Sequence, residues 1–535
     1  MQKNFRYLLL VIPILFLISG LMLKFAQGPY YLNFYDPSYV YLINSLNLAQ
    51  GFGVGHFDHP GTTVQTIGAV IVKLNYLLNG KENDIVIDVF SRPEEYLGLE
   101  NTVFAFINFS ALLLLGILTY RFSKNLKYAL LLQLTPFVSM EIFYGFIIVT
   151  PDNFLIPLSL GMIGLLVYYL YHIDPEAKTP YRFIVLASIL CGMGMATKLN
   201  FLPLILLPFF IIKGLKSKLL FIAYTVAAFF FFLLPALSNF SLFAGWVGKL
   251  FLYSGHYGQG EATVVSSSEF FPNLLHIIKK DIFFTATYLT LLVSVILSVF
   301  RKHIVTDSSE APAFSYKKNK LLILTFIAMT FQIFLVAKQY RQHYMIPSFM
   351  LSVFSLSLSV PVILSYFRKS LKYSYAIIGG MVIIWGFVYI LLSYNEGTMQ
   401  KNDAYRIDEY IKQNYPDDFI ISTFSTANID AARTFGVYYA GSQADNYKKV
   451  LSKIQKQTLF FDMWIDRFYG ITTDSDFRKV LAENKDKKVI VQIPHYDIDY
   501  FLAELDKVNG TKNSTSRKVY TAENGECVFE VTVGN

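Results

Sequence analysis

The sequence predicts a polytopic α-helical membrane protein of about eleven crossings, with an extracytoplasmic α/β domain at its C-terminal end. Three observations predict it. Hydrophobic residues make up 54% of the 535-residue chain and aromatics 17%, with a mean hydropathy of +0.43, against roughly 45–50% apolar residues in soluble domains. Apolar runs long enough to cross hydrocarbon recur between short clusters of Lys and Arg. Beyond Tyr394 the chain turns charged and takes on the periodicity of a soluble fold. The membrane domain is therefore residues 1–395, with a first outer loop at 26–100, and the α/β domain is 396–535.

The elements follow from charge parity. Lys3 and Arg6 precede a first span at about Leu8–Leu23; it lacks a small-residue cleavage site, so it reads as retained, with a cytoplasmic N-terminus. In the outer loop, Asp36-Pro37 has the form of a helix start, and Tyr39, Leu42, Ile43, Leu46 and Gln50 fall on one face. That predicts an amphipathic helix in the membrane interface, its carboxylate held ionised by the helix N-terminus. Val64–Leu78 reads as a second shallow helix, and 79–100, with Arg92, Glu94 and Glu95, as a loop. Asn101–Tyr120 spans to an inner loop at Arg121, Lys124 and Lys127. An even number of crossings must separate this from Lys178 and Arg182, so the chain turns outside at Glu141–Asp152. Phe183–Ile212 makes a hairpin with Thr197–Asn200 outside; Leu219–Phe240 exits to an outer loop at 241–280; Asp281–Phe300 returns. Leu321–Ala337 and Met345–Tyr366 form a hairpin with 338–344 outside, and Tyr375–Ser393 exits last. In the tail, Phe419–Thr423 and Lys488–Ile493 read as strands, Ile498–Val508 as a helix, and Arg517–Val533 as a hairpin about Glu523-Asn524-Gly525.

The net charge of +8 is dispersed among loops and is no nucleic-acid signal. Cys191 and Cys527, the only cysteines, suggest neither a disulfide framework nor a thiolate metal site.

Under this topology Asp36, His59, Glu141, Asp152, Lys198, His256, Lys338, Arg341, His343 and Tyr344 collect on the outer side. Six of them have a plainer reading: Asp36 and Asp152 as helix caps, Glu141 as a loop marker, Lys198 as a snorkelling terminal lysine, His256 as part of a glycine-rich loop, and His59 as a structural residue. Lys338 and Arg341 in an outer loop run against the positive-inside bias, and ionisable groups at membrane depth point to function. Outer cations beside a bilayer suit a phosphate, gripped by Arg bidentately and by Lys as a point charge. Carboxylates near them suit a base acting on an acceptor hydroxyl. A transporter or flippase for a lipid-linked or anionic solute is the alternative, but would spread such groups to mid-depth. A receptor would leave the acid and base cluster without a role.

Four stretches resemble the GT-C membrane glycosyltransferases, in the branch of protein O-mannosyltransferases and the aminoarabinose transferase of lipid A. They are Asp36 with His59-Pro60; Thr150-Pro151-Asp152-Asn153; Gly192-Met193-Gly194-Met195-Ala196-Thr197-Lys198; and Arg341-Gln342-His343-Tyr344-Met345-Ile346-Pro347. The resemblance implies inverting transfer of a sugar from a polyprenyl-phosphate donor to a glycan, lipid or protein acceptor, with Asp36 as base. Where the family usually has a second proline after His-Pro, this chain has Gly61, and no Trp-Trp-Asp-type motif is present. No cofactor is assigned; a divalent cation, magnesium or manganese, is left open, although Pro37 and not a second acid follows Asp36, which speaks against a metal-dependent version.

Overall fold

The computed structural model describes residues 7–33, 35–255, 258, 260–300, 312–367, 373–423, 428–455, 459–463, 467–469, 477–494 and 497–534. The chain begins with α1 (Leu8–Gln27), then α2 (Tyr30–Asn33), α3 (Tyr35–Ala49), α4 (Thr62–Asn79), α5 (Ile85–Ser91) and α6 (Pro93–Ser123). The segment read as a loop at 79–100 is thus helical from Ile85 on, apart from Arg92. Asp84 caps α5 through the amides of Val86 and Ile87, and α6 opens with Pro93 followed by Glu94 and Glu95 in its first turn, where free N–H groups favour acids. α4 leaves Val70, Leu74, Leu77 and Leu78 exposed, a stripe at helical spacing fit for a membrane interface.

The chain continues through α7 (Leu126–Gln133), a 3₁₀ turn (Thr135–Val138), α8 (Met140–Ile147), α9 (Asp152–His172), α10 (Tyr181–Thr197), α11 (Leu202–Ile211) and α12 (Leu215–Leu233). It goes on with α13 (Phe240–Leu252), α14 (Ser267–Lys280), α15 (Ile282–Phe300), α16 (Pro312–Lys338), α17 (Ile346–Tyr366) and α18 (Ser374–Asn414). Among the described residues eight helices are long and apolar enough to cross a membrane, and α10 and α11 are shorter apolar helices. The parity count of about eleven is reached when α10, α11 and the broken run α7–α8 are added. α17 is the centre of the bundle, with every residue from Ile346 to Ser359 buried; Ser352, Ser355 and Ser357 bond back to their own helix carbonyls. The expected outer loop at 241–280 is largely α13 and α14, and α14 packs Ile277 into the bundle core.

The last span does not stop near Ser393. α18 runs 41 residues without a break, and its final turns, at Ile407 and Ile411, pack on the C-terminal sheet against Ile490 and Val528. That sheet comprises β1 (Phe419–Thr423), β2 (Leu459–Asp462), β3 (Arg467–Tyr469), β4 (Val489–Pro494), β5 (Thr515–Thr521) and β6 (Glu526–Thr532), in the order β3-β2-β1-β4-β6-β5. β1 lies parallel to β2 and β4, the outer pairs are antiparallel, and β5–β6 is the expected hairpin. Among the described residues four helices complete it: α19 (Ile429–Tyr438), α20 (Ala444–Ile454), α21 (Phe477–Glu483) and α22 (Ile498–Asn509).

α19 and α20 dock on the first outer loop and share its core: Tyr39, Ile43 and Val86 pack with Phe435, Val437 and Tyr447. This corrects the expectation for α3. Every residue from Ser38 to Asn47 is buried, so α3 is not an interface helix with one wet face; the C-terminal domain covers it. Asn44 is central to the docking. Its amide nitrogen donates to the carbonyls of Val40 (2.8 Å) and Tyr439 (3.2 Å), while its oxygen accepts from the amides of Gly55 (2.7 Å) and His56 (3.1 Å). Asn47 adds a bond to the Ala440 carbonyl at 2.9 Å. Gly441 sits on Gly55 backbone to backbone: a Cβ on Gly441 would fall 2.6 Å from Gly55 Cα.

Candidate active site

Asp152 and Lys198 meet although 46 positions separate them. Asp152 starts α9 after the Thr150-Pro151 turn, and Lys198 directly follows α10. The ammonium donates to both carboxylate oxygens, at 2.9 and 2.8 Å, and both side chains are buried. Lys198 is held by its backbone as well. It pairs with Pro60 in an antiparallel bridge, with Leu199 N–H donating to His59 O (2.9 Å) and Gly61 N–H to Thr197 O (3.0 Å). Thr63 and Thr197 hydroxyls bond at 2.8 Å alongside. The His59-Pro60 stretch and the Lys198 stretch thus form one structural unit. It also accounts for Gly61: its φ is +72° and a Cβ there would collide with the Tyr41 ring. Proline, fixed near −65°, cannot take that conformation.

The Arg341–Tyr344 stretch closes over this unit. The Tyr344 carbonyl accepts from Asn200 (3.0 Å) and Gln332 (2.8 Å), and Lys198 Nζ lies 5.0 Å from the Tyr344 ring centroid. The rings of His59 and His343 flank Tyr344 at 5.8 and 4.5 Å. His343 is within electrostatic reach of Lys198, His59 and Arg341, so four cationic or protonatable groups converge with Asp152 as counter-ion. Glu141, in the first turn of α8, lies near Asp152, Lys198, Asp281 and Lys280. Arg341 is exposed and lines a cavity of about 400 Å³ with Lys338, Tyr340, Tyr344, Glu269 and Asn273. Lys338 is engaged elsewhere. Its ammonium donates to the carbonyls of Leu250 (2.6 Å) and Phe251 (2.9 Å), capping the C-terminal end of α13. His256 lies outside the described residues.

Asp36 occupies the crevice next door. It sits at a kink with extended backbone (φ −95°, ψ 123°), and both X-Pro bonds of these motifs, Asp36-Pro37 and His59-Pro60, are cis. Two residues on, the Ser38 hydroxyl accepts from Val149 N–H at 3.2 Å, joining this helix to the turn that leads into Asp152. The Asp36 side chain is reached by solvent at the mouth of the crevice. Its carboxyl is nonetheless crowded by protein, and burial, then Asp462 and Asp58, push its pKa up to about 7. The carboxylate expected to be held firmly ionised by a helix end is therefore poised near neutrality, because desolvation and two like charges outweigh the helix.

The far wall of this crevice is absent from the set of residues that the sequence singles out. Tyr439, Asp462 and Asp58 face Asp36, and the His56 ring stands edge-on between Tyr41 and Tyr439, at 5.6 and 5.5 Å. Asp58 has a local signal, since it precedes His59-Pro60. Tyr439 and Asp462 have none, being some 400 positions from Asp36. Among the described residues no three His, Cys, Asp or Glu side chains form a metal-ligating group, and no residue is assigned to a divalent cation.

No family model matches the chain, and no curated protein matches it in sequence. Among solved structures it is similar to ArnT from Cupriavidus metallidurans bound to undecaprenyl phosphate, at 12% identity and a TM-score of 0.49 over 99% of this chain and 98% of that one. It is also similar to the Archaeoglobus fulgidus oligosaccharyltransferase, in the apo form at 11% identity and a TM-score of 0.44 over 100% of this chain and 75% of that one. With a tethered acceptor peptide, the latter matches at 11% identity and 0.42, over 100% and 74%.

Proposed function

We propose that the protein is a membrane glycosyltransferase that moves a sugar from a polyprenyl-phosphate donor to a hydroxyl acceptor outside the cytoplasm, with inversion. The observation that carries this reading is the convergence of the motif stretches, spread over residues 36–347, on one end of the bundle as two adjoining pieces. One is rich in basic side chains (Lys198 and Arg341, with the imidazoles of His59 and His343) and the other in carboxylates (Asp36, Asp58, Asp462). A carrier would need such groups along a path through the bilayer.

The chemistry follows. The acceptor oxygen attacks the anomeric carbon as its proton passes to the ionised Asp36 carboxylate. The bond from that carbon to the phosphate oxygen breaks on the opposite face, and the electron pair leaves with the lipid phosphate. Arg341 in its cavity and His343 hold the developing phosphate charge; Asp152 holds Lys198 in place beside Tyr344. Lys338, engaged by α13, is left out of the grip.

Purified protein in detergent, offered radiolabelled polyprenyl-phosphate pentoses and hexoses with an envelope extract as acceptor source, should consume one donor and release the lipid phosphate. Consumption of none, or equal consumption by Asp36→Asn, would overturn the reading.

A further inference from the structure

The stretch that carries Asp36 is tied at both ends to one side chain. Glu94, in the first turn of α6, accepts from the Tyr30 amide at Oε2 (2.8 Å) and from the Tyr31 amide at Oε1 (3.2 Å). The same Oε1 accepts from the Tyr39 hydroxyl at 2.8 Å. Tyr30 and Tyr31 lie just before Asp36 and Tyr39 just after it. Neighbouring contacts hold the near end: Lys24 Nζ lies 3.3 Å from the Tyr30 ring centroid and donates to the Gly28 carbonyl at 2.6 Å. Glu94 is itself placed by its helix, since an acid in a first turn is favoured by the free amides there.

We propose that Glu94 is the positioning residue for Asp36: one carboxylate bridges the two sides of the kink and aims the Asp36 carboxyl into the crevice. This rests on the reading of Asp36 as the base. The bridge needs a carboxylate. With two acceptor oxygens and no donor it serves both sides of the kink, whereas an amide would turn its N–H₂ against the Tyr30 or the Tyr31 and Tyr39 donors, leaving a half-buried donor unmatched. A second knot at the same helix end does not touch the Asp36 stretch. Asp88 accepts from Arg92 at 2.6 Å, from Tyr96, and from the Lys81 and Glu82 amides at 2.8 and 3.1 Å. It serves as the control.

The experiment is carbodiimide labelling of Asp36 in purified full-length protein against pH, read by mass spectrometry of the peptide, with Tm followed in parallel. The groups facing Asp36 are Asp58, Asp462 and Tyr439, and they are kept in every variant. The wild-type midpoint should lie near 7. Glu94→Gln should lower it by roughly one pH unit, toward the ordinary carboxylate range, as the stretch swings into water, and Tyr39→Phe should shift it the same way by less. Asp88→Asn should leave it unchanged while lowering Tm. In transfer assays Glu94→Gln should lower kcat about 10- to 100-fold with donor KM little changed. Wild-type midpoints in both Glu94→Gln and Tyr39→Phe, or an equal shift in Asp88→Asn, would overturn the proposal. A shifted midpoint with undiminished transfer would leave Glu94 as the positioner and remove Asp36 as the base.

Discussion

At the scale of the residue, Asp36 sets the pH behaviour. A carboxyl with its pKa near 7 holds a proton below that value and cannot act as base, so transfer should rise with pH through about 7 and level off above. Asp36→Asn should lower turnover by roughly 10²–10⁴-fold. The same raised pKa makes the folded state favour the protonated form, so this group's contribution falls as pH rises from the unfolded carboxyl value to about 7. Asp36→Asn should consequently raise Tm at about pH 8 and leave it unchanged at about pH 4; an unchanged Tm at both would show the carboxyl to be unstrained. The Asp152–Lys198 pair behaves differently. Removing either partner leaves a buried charge alone, at a cost of about 3–5 kcal/mol, so Lys198→Met and Asp152→Asn should each destabilise strongly and the double variant less than their sum. Around the cavity, Arg341→Ala should weaken donor binding by about 1.5–3 kcal/mol, while Lys338→Met should lower Tm through the freed carbonyls of α13 and spare donor binding. Titration with the donor separates the two.

At the scale of the element, the sequence is clearest where hydrocarbon dictates it. Long apolar helices announce themselves, and charge parity predicts the short pair α10–α11 and the break before Asp152. The amphipathic pieces are harder to read. α13, at 13 residues, is too short for a span and α14, with Glu269, Lys279 and Lys280, too polar, so both look like loop, while Arg92, Glu94 and Glu95 hide α5 and the start of α6. The one-sided pattern on α3 is real, but a protein surface covers its second face instead of water. That cover depends on two glycines. Gly55→Ala should force the Gly441 backbone away, an overpacking that typically costs about 1–3 kcal/mol, and should reduce transfer with the bundle intact; protease cleavage within residues 396–535 should speed up in step. Wild-type cleavage rates would mean that the contact yields without consequence.

At the scale of the whole molecule, half the candidate site is legible in the sequence and half is not, for a physical reason. The cationic half comes from motifs with their own local signatures, His59-Pro60 to Tyr344. The far wall comes from Tyr439 and Asp462, which reach Asp36 only because α19 and β2 are stacked on the first outer loop, and nothing nearby in sequence reports such packing. Orientation remains a prediction: Lys124 and Lys216 face the cytoplasm, Asp36 and the α/β domain face outward. Single cysteines at 124, 216 and 408, in protein lacking Cys191 and Cys527, should react with an impermeant reagent from outside only at 408. Labelling at 216 in intact cells would invert the topology.

The unbroken α18 has a mechanical corollary. At 1.5 Å per residue its 41 residues make a rod about 60 Å long, rooted in the bilayer and ending under the sheet. Lys401 braces it against α1 through the Phe25 carbonyl at 3.0 Å. Such a rod has a phase as well as a length: each added residue turns its far end by about 100° and lifts it about 1.5 Å. A single alanine inserted after Tyr394 would therefore swing the α/β domain off its seat without altering any residue of the crevice. Under the proposed function, the distance from the bilayer at which an acceptor is met would thus be set by a count of residues that no acceptor touches.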